Sequence, residues 1–317
     1  MSIELLPPAE ATPDNPRWHE LRRQGVTASE IAEILGISPW GSAFSLYWRK
    51  SAGWEASTTD AMEAGRRLEP VIADWWADRH PHLAVRPAGL YAHPERPWQL
   101  ATPDRLVCTE SGVVAVLECK WASTWDGWGE PGSDDVPVHY RAQVLWQCDV
   151  LDVDEWHIAV LGPGGLRAYT GRRDETDLRI MREHGRRFVE RLRADEPPPL
   201  DDHEATVTTL RRIHPTPVGD EAEISDATAR LYQRARALRA HADRLLAAAE
   251  ARLRAEMGDR AIATHRGRRI ATRTVYTTRR IDTRRLRDEQ PDIAAQYETT
   301  AITDRLTPAR SRHDSDR

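Results

Sequence analysis

Lysine is almost absent from this chain. Of 45 basic residues only Lys50 and Lys120 are lysines, and the other 43 are arginines, as a coding bias towards arginine would produce. A remaining lysine is informative, because arginine cannot replace an amine that must approach a site as a compact charge or share a proton. Lys120 lies among acidic residues and is a candidate for such a role. Lys50, beside Arg49, is expected to lie at an exposed helix end without a function of its own.

Cysteine is also scarce. Cys108, Cys119 and Cys148 are too few and too scattered for a disulfide framework or a zinc cluster. They also fall short of the four thiolates that an iron–sulfur cluster normally takes, which disfavours an iron–sulfur protein. All three are expected to be small apolar residues in a reduced interior.

Long hydrophobic runs are missing as well. No apolar run approaches the roughly 18 residues that a membrane span needs. The first residues, MSIELLPPAEATPDNP, lack the basic start and the apolar stretch of a secretory signal. These absences favour a cytoplasmic protein without a membrane partner.

Tryptophan is confined to the first half of the chain, where all 12 lie between Trp18 and Trp156. A segment rich in proline and acidic residues follows at 194–202, where neither a helix nor a central strand can continue. We therefore expect a domain over 1–200 and an extension over 204–317. The extension carries 23 arginines against 17 acidic residues, a net charge of +6, so residues 1–203 carry −11. An acidic domain can still act on DNA if part of its negative charge holds divalent cations.

The sequence of the first domain predicts a series of helices and strands. Ser29-Glu30 opens a short helix that Gly36 can end, and Ser42 can cap another over 43–50. Helical spacing recurs over 61–80, where Pro70 should mark a kink or the first turn. Strand patterns occupy 83–93, 99–109, 113–122, 154–162 and 166–170, and further helices are expected over 138–150 and 176–193. This order predicts an α/β domain with a mixed central sheet flanked by helices.

The extension is predicted to be α+β. A helix over about 225–257 repeats leucine every seven residues, at Leu231, Leu238 and Leu245. Such a repeat is typical of an oligomer seam, and a helix lying on its own domain fits equally well. A β-hairpin follows over 261–278, turning at 266–268, and the tail 311–317 is expected to be disordered. The arginine excess suits a DNA backbone, but assembly or partner docking would explain it too.

The residues that carry chemistry are Asp104, which follows Thr102-Pro103, and the run Glu118-Cys119-Lys120. Both lie in strand-rich sequence with a glycine between them, which predicts neighbouring strands of a hairpin. Glu118 and Lys120 then share one face, about 7 Å apart, while Cys119 faces the core. If Asp104 ends its strand opposite Glu118, two carboxylates meet beside one ammonium.

Buried acids in this excess favour a divalent cation. An unpaired buried charge costs several kcal/mol, and Mg²⁺ or Mn²⁺ with oxygen ligands removes that cost. The ion would activate water, and Lys120 would orient that water. Glu69, before Pro70, and Gln143, on the next helix, are candidates to complete the site. Taken alone, the acid–x–lysine pattern also fits a surface ion pair worth ~0–1 kcal/mol.

Together these segments resemble the YqaJ-type viral recombinase family of lambda-exonuclease-like nucleases, within the PD-(D/E)XK superfamily. The resemblance spans about residues 17–195. It is carried by the segments 22–30, 65–70, 102–104, 117–120 and 140–143. It implies a PD-(D/E)XK restriction-endonuclease-like core and a Mg²⁺-dependent 5′→3′ exonuclease. Such an enzyme acts on double-stranded DNA ends and works with a single-strand annealing protein in recombination, as a homo-oligomer.

The resemblance also implies roles for individual residues. Asp104, Glu118, the Cys119 carbonyl and Glu69 would hold the metal, expected to be two ions, with Lys120 positioning water and Gln143 supporting it. Residues implied to meet DNA are Arg22, Thr27, Ser29, Arg66 and Tyr140. For Thr27 and Ser29, helix capping is an equally good interpretation.

Two other functions stay open at this point. One is a structure- or sequence-directed DNA endonuclease on the same core. The other is a catalytically silent protein that binds DNA ends. The silent alternative is disfavoured, because a silent site has no reason to keep costly clustered acids.

Overall fold

The computed structural model describes residues 2–54, 59–219, 221–300 and 303–308. The predicted disordered tail at 311–317 lies outside these residues. The chain divides into two compact units, the first ending at Pro215 and the second beginning at Thr216. No helix within the described ranges combines the length and the apolar character needed to cross a bilayer.

The first unit contains nine strands and seven helices among its described residues. The strands are β1 (Ile3–Leu6), β2 (Val26–Thr27), β3 (Ala84–Pro87), β4 (Leu90–Ala92), β5 (Gln99–Ala101), β6 (Arg105–Thr109), β7 (Gly112–Trp121), β8 (Glu155–Gly162) and β9 (Gly165–Arg172). The helices are α1 (Pro16–Arg23), α2 (Ile31–Ile34), α3 (Ala43–Ser51), α4 (Asp60–Asp78), α5 (Val138–Leu151), α6 (Glu175–Ala194) and α7 (Glu204–Ile213).

A five-stranded sheet in the order β3-β6-β7-β8-β9 forms the centre of this unit. β7 and β8 are parallel and are connected through α5, whereas the other neighbours are antiparallel, so the sheet is mixed. A smaller sheet in the order β1-β4-β5-β2 contains a second parallel pair, β2 with β5. The mixed sheets flanked by helices confirm the predicted α/β fold class.

Alternation along β7 decides which side chains reach the site. Ala115, Leu117 and Cys119 point towards α4 and pack in one apolar cluster with Ile72 and Trp76. Successive strand residues face opposite sides, so Glu118 and Lys120 point towards α5 instead. Cys119 therefore faces the core, as the sequence predicted, and all three cysteines are buried and free.

Two features of the first unit narrow or change the sequence expectations. Of the two positions expected for Pro70, a kink or the first turn, the first turn is excluded, because α4 begins earlier, where the Thr59 side chain accepts a hydrogen bond from the Met62 backbone N–H. The division between the units falls after Pro215, later than the expected boundary near residue 200. The reason is that α7 stays with the first unit, where the hydroxyls of Ser42 and Thr206 lie 2.6 Å apart.

The second unit consists of one long helix, a hairpin and two short helices among its described residues. These are α8 (Asp226–Met257), β10 (Ile262–His265), β11 (Arg268–Thr272), α9 (Thr283–Glu289) and α10 (Pro291–Gln296). The helix agrees with the sequence prediction, and the hairpin turns where predicted but ends at Thr272, before the expected end at residue 278. The heptad leucines Leu231, Leu238 and Leu245 are exposed along α8.

Candidate active site

The carboxylate of Glu118 is the centre of the candidate site. Only 3% of this residue is exposed, and three donors hold its two oxygens. Lys120 Nζ lies 2.6 Å and Gln143 Nε2 lies 2.5 Å from Oε1, while Gln147 Nε2 lies 2.7 Å from Oε2. Gln143 and Gln147 are one helical turn apart on α5, so both amides reach the same strand residue. Three independent donors fix the orientation of a buried acid.

Lys120 is a half-buried cation that faces two acids. Burial by itself lowers the pKa of Lys120, but the negative charges of Glu118 and Asp104 outweigh this effect and raise it above its ordinary value. Its ammonium also lies 3.2 Å from Gln143 Oε1 and 4.9 Å from the centre of the Tyr140 ring. Lys120 is therefore protonated near neutral pH and can donate hydrogen bonds.

Asp104 reaches the same strand from the turn before β6. Its Oδ2 accepts a hydrogen bond of 2.7 Å from the backbone N–H of Cys119, between Glu118 and Lys120. Arg105, the next residue, pairs with Leu117 in the β6–β7 register, as expected for a hairpin. Desolvation and repulsion from Glu118 raise the pKa of Asp104 well above its ordinary value, even though Lys120 opposes the shift.

Glu69 approaches this group from α4. Its Oε1 accepts a hydrogen bond of 2.6 Å from Arg105, whose guanidinium also bonds the Asp104 carbonyl oxygen at 2.6 Å. The negative charge of Glu69 also raises the pKa of Asp104. The sequence interpretation did not include Arg105. An arginine adjoining a candidate metal-ligating aspartate was the available signal.

The donor chemistry of this group fits a hard divalent cation. The carboxylates of the buried Glu118 and the half-buried Asp104 create an excess of negative charge, and Mg²⁺ is commonly held by one or two carboxylates with water completing its shell. Across the described ranges, no group of three or more His, Cys, Asp or Glu side chains is arranged to hold a metal ion. The candidate group therefore consists of the neighbouring acids Asp104 and Glu118, while Glu69 is paired with Arg105.

An aromatic cluster borders Lys120. The Tyr140 ring lies 4.1 Å from His139, 5.6 Å from Trp128 and 6.0 Å from Trp40, centre to centre. Trp40 is 66% exposed, which is unusual for tryptophan. Sequence analysis singled out Tyr140 but missed Trp40, because one tryptophan among 12 gave no positional signal. An exposed aromatic ring such as that of Trp40 is suited to stacking on a nucleobase.

The segment around β2 brings the predicted phosphate-contacting residues together. Thr27 Oγ1 and Ser29 Oγ lie 3.2 Å apart, and Arg22 Nη2 lies 3.5 Å from Ser29 Oγ. Neither hydroxyl caps α2, whose N-cap is Glu30 without a side-chain cap bond. The capping interpretation of Thr27 and Ser29 is therefore wrong. Their contact with DNA remains a prediction.

Lys50 corrects another expectation. It is buried, not exposed, and its ammonium lies 2.9 Å from Glu30 Oε2 and 2.7 Å from the Arg22 carbonyl oxygen. Glu30 also accepts the Thr27 backbone N–H at 2.9 Å. Lys50 thus joins the backbone of Arg22 to that of Thr27 through Glu30. Its partners lie on separate elements earlier in the chain, so its local sequence could not reveal the burial.

Arg66, the remaining predicted DNA contact, lies on the exposed part of α4. Its guanidinium pairs with Glu63 at 2.5 Å, one helical turn away, and its side chain is 56% exposed. Arg66 is therefore accessible, but its charge is partly neutralised by Glu63.

Comparison with known proteins agrees with the motifs. Residues 17–154 match the model of the YqaJ-like viral recombinase domain. The chain is also 24% identical over 296 residues to the uncharacterized protein YqaJ of Bacillus subtilis (strain 168), covering 87% of this chain and 88% of that protein. The second of these matches extends beyond the site and includes much of the second unit.

The solved structures that this chain resembles include two exonucleases. LHK-Exo, an alkaline exonuclease from Laribacter hongkongensis solved in complex with dAMP, is 20% identical, with a TM-score of 0.48 over 63% of this chain and 97% of that chain. A phage related exonuclease from Haemophilus somnus 129PT is 14% identical, with a TM-score of 0.42 over 56% of this chain and 98% of that chain.

Proposed function

We propose that this protein, whose residues 17–154 match the model of the YqaJ-like viral recombinase domain, is a nuclease that hydrolyses phosphodiester bonds in DNA. The observation that carries the proposal is the convergence of Lys120 and two glutamine amides on the Glu118 carboxylate, beside Asp104. A buried acid with this many donors and a second acid nearby is not explained by stability alone, since replacing buried ion pairs by apolar residues often leaves the free energy of unfolding unchanged. The arrangement is instead suited to a preorganised catalytic site.

The metal would be held by Asp104 and Glu118, with the Cys119 carbonyl and Glu69 contributing. We propose that two ions bind here and that they are Mg²⁺ or Mn²⁺. A bound divalent ion supplies charge stabilisation for the phosphate and lowers the pKa of its water. Recruiting Glu69 requires its separation from Arg105, which would then be free to pair with a phosphate oxygen.

The protein's own side chains would position the nucleophile. Lys120 is protonated and only 2.6 Å from Glu118, so its ammonium can donate to a water or a phosphate oxygen at the mouth of the site. Gln143 contacts both Lys120 and Glu118 and holds them in one geometry. Tyr140 lies against the ammonium and would keep it directed towards the substrate.

The finer proposal concerns the substrate. We infer a 5′→3′ exonuclease of phage or prophage type, acting in the cytoplasm on linear duplex ends as a homo-oligomer, with a single-strand annealing protein as partner. Arg22, Thr27 and Ser29 would receive the phosphate of the DNA end, while Arg66 and Tyr140 would contact the duplex.

End-labelled DNA tests this proposal. With Mg²⁺, the purified protein should release the label of a 5′-labelled linear duplex early and that of a 3′-labelled duplex late, and EDTA should stop both. A closed circular duplex of the same sequence should stay intact. Cleavage of the circle would instead support an endonuclease, and binding to ends without cleavage would support a silent end-binding protein.

A further inference from the structure

The second unit contains a segment of extreme positive charge. Residues 260–287 include ten arginines and a single acidic residue, Asp282. Residues 1–203, which carry the candidate active site, have a net charge of −11. A polyanion is repelled by the charge of the first part and attracted by that of this segment.

A tight hairpin presents the first arginines of this segment. β10 and β11 pair antiparallel, with His265 opposite Arg268. The two turn residues, Arg266 and Gly267, have φ of 50° and 78°, the positive values that a two-residue hairpin turn with right-handed strand twist requires. Arg268 and Arg269 then point to opposite faces of the ribbon. The exposed hairpin therefore carries guanidinium groups at its tip and on both faces.

Arg285 and Arg287, at the end of the segment, pair with Glu289 and Glu298. Other arginines of the segment differ in their pairing from two exposed arginines of the first unit. Arg186 and Arg187 on α6 are neutralised by Glu183 and Glu190. By contrast, Arg266, Arg268, Arg269 and Arg279 are among the exposed arginines of the segment that form no ion pair with an acidic side chain within the part of the chain that the structure describes. A surface ion pair reduces the local electrostatic potential of its arginine. Arginines without such a partner keep their full positive charge available to a ligand.

An exposed aromatic residue interrupts the positive charges. Tyr276 is 76% exposed and lies between Arg273 and Arg279, in the stretch after β11 that has no regular secondary structure. Arginines interleaved with an exposed aromatic ring match the chemistry of a nucleic acid, which offers phosphates and stacking faces. An acidic protein surface would use the charges but has no need of the ring.

We propose that residues 260–287, the arginine hairpin and the stretch that follows it, bind the phosphate backbone of DNA and supply most of the salt-dependent affinity of this chain. The inference rests on the proposed function, in that the DNA held here is the substrate of the nuclease site. Because phosphate contacts carry no base information, this binding is independent of sequence.

Binding of a labelled duplex to the full-length chain in EDTA, over a range of salt concentrations, tests this proposal without cleavage. The variant is Arg268→Gln with Arg269→Gln. The matched control is Arg186→Gln with Arg187→Gln, which removes the same charge from the first unit. We expect the hairpin variant to bind about tenfold more weakly at moderate salt, and its slope of log K against log salt to fall by about 2. The control should bind within about twofold of the unchanged protein.

Three results would overturn the proposal. The first is a hairpin variant whose affinity for DNA and salt slope are both unchanged. The second is a control variant that loses as much DNA affinity as the hairpin variant. The third is a hairpin variant that binds DNA normally but no longer binds an annealing protein. Arg279→Gln with Arg280→Gln, outside the hairpin strands, should also weaken DNA binding, so the result does not depend on an intact hairpin. Failure of the nuclease proposal is seen separately, as absence of cleavage by the unchanged protein in Mg²⁺ while this binding persists.

Discussion

The ammonium of Lys120 lies 2.6 Å from Oε1 of Glu118, two residues earlier on the same face of β7. The contact is local in sequence, yet its orientation is fixed from outside the strand, by Gln143 and Gln147 on α5. Since only 4% of the Glu118 side chain and 19% of the Lys120 side chain are exposed, the pair has an open edge on the side of the amine. Substrate would therefore meet Lys120 first.

Replacing Lys120 should abolish catalysis without unfolding the protein. We expect Lys120→Ala to slow cleavage of linear duplex by about 10²–10³-fold, the usual cost of removing a donor that stabilises charge in the transition state. Lys120→Arg should rescue little, because a planar guanidinium cannot occupy the place of a compact ammonium. The measurement is the release of acid-soluble nucleotides. Cleavage by either variant at more than a tenth of the normal rate would exclude the proposed role.

Gln147 should act on the site through Glu118. In Gln147→Leu, Oε2 of Glu118 loses its hydrogen-bond donor, which should lower the free energy of unfolding by about 1–3 kcal/mol. The less firmly held carboxylate should raise the Mg²⁺ concentration for half-maximal cleavage by about tenfold. A purely structural role would lower stability and leave the metal dependence unchanged, so a Mg²⁺ titration separates the two.

Asp149 should be a main determinant of stability. It is fully buried, and three arginines converge on it: Arg96, Arg173 and Arg182. Asp149→Asn leaves buried positive charge uncompensated and should lower the free energy of unfolding by about 3–5 kcal/mol. Urea denaturation measures this loss. Asp154→Asn, which removes an exposed partner of Arg172, is the control and should change stability by less than about 0.5 kcal/mol.

The carboxylate of Asp149 should also make the protein less stable in acid. Burial opposes ionisation of Asp149, but hydrogen bonds from Arg182 and Gln99 outweigh it and lower its pKa below the ordinary value. A carboxylate with a lowered pKa stabilises the fold above its unfolded pKa of about 4, and this contribution is lost as pH falls through the folded value. Below pH 4, the difference in stability between the unchanged protein and Asp149→Asn should therefore shrink.

His157 predicts a second effect at higher pH. Burial, helped by repulsion from His80, lowers its pKa from 6.5 to about 4. Between these pH values His157 is protonated in the unfolded chain and neutral in the folded protein. The free energy of unfolding should therefore fall by at most about 3 kcal/mol as pH decreases from 6.5 to 4. His157→Gln should flatten this part of the curve, as thermal unfolding at several pH values would show. An unchanged pH dependence in the variant would count against a buried neutral His157.

The features that sequence predicted well are determined by nearby residues. Ser42 caps α3 through a reciprocal bond with Ser45, three residues later, so the helix start could be recognised locally. The β6–β7 hairpin, with Asp104 before one strand and Glu118 in the other, follows from alternation and a glycine turn. The central pair of the candidate site was therefore accessible from the sequence.

The missed features depend on distant partners. β1 and β2 are two to four residues long and exist because they pair with β4 and β5, far along the chain. Lys50 is buried by Glu30 on a different element, and Arg105 is held by Glu69 across the α4–sheet interface. Composition and periodicity describe what one segment prefers, and they do not say which segments meet.

The most direct test of the central claim is a comparison of the two acids in one assay. Linear duplex DNA is incubated with Mg²⁺ and with the unchanged protein, Asp104→Asn or Glu118→Gln, and binding of the same DNA is measured in EDTA. We predict Mg²⁺-dependent degradation by the unchanged protein, loss of degradation in both variants, and DNA binding that is retained in all three. Degradation by both variants at the normal rate would contradict a nuclease site built on Asp104 and Glu118.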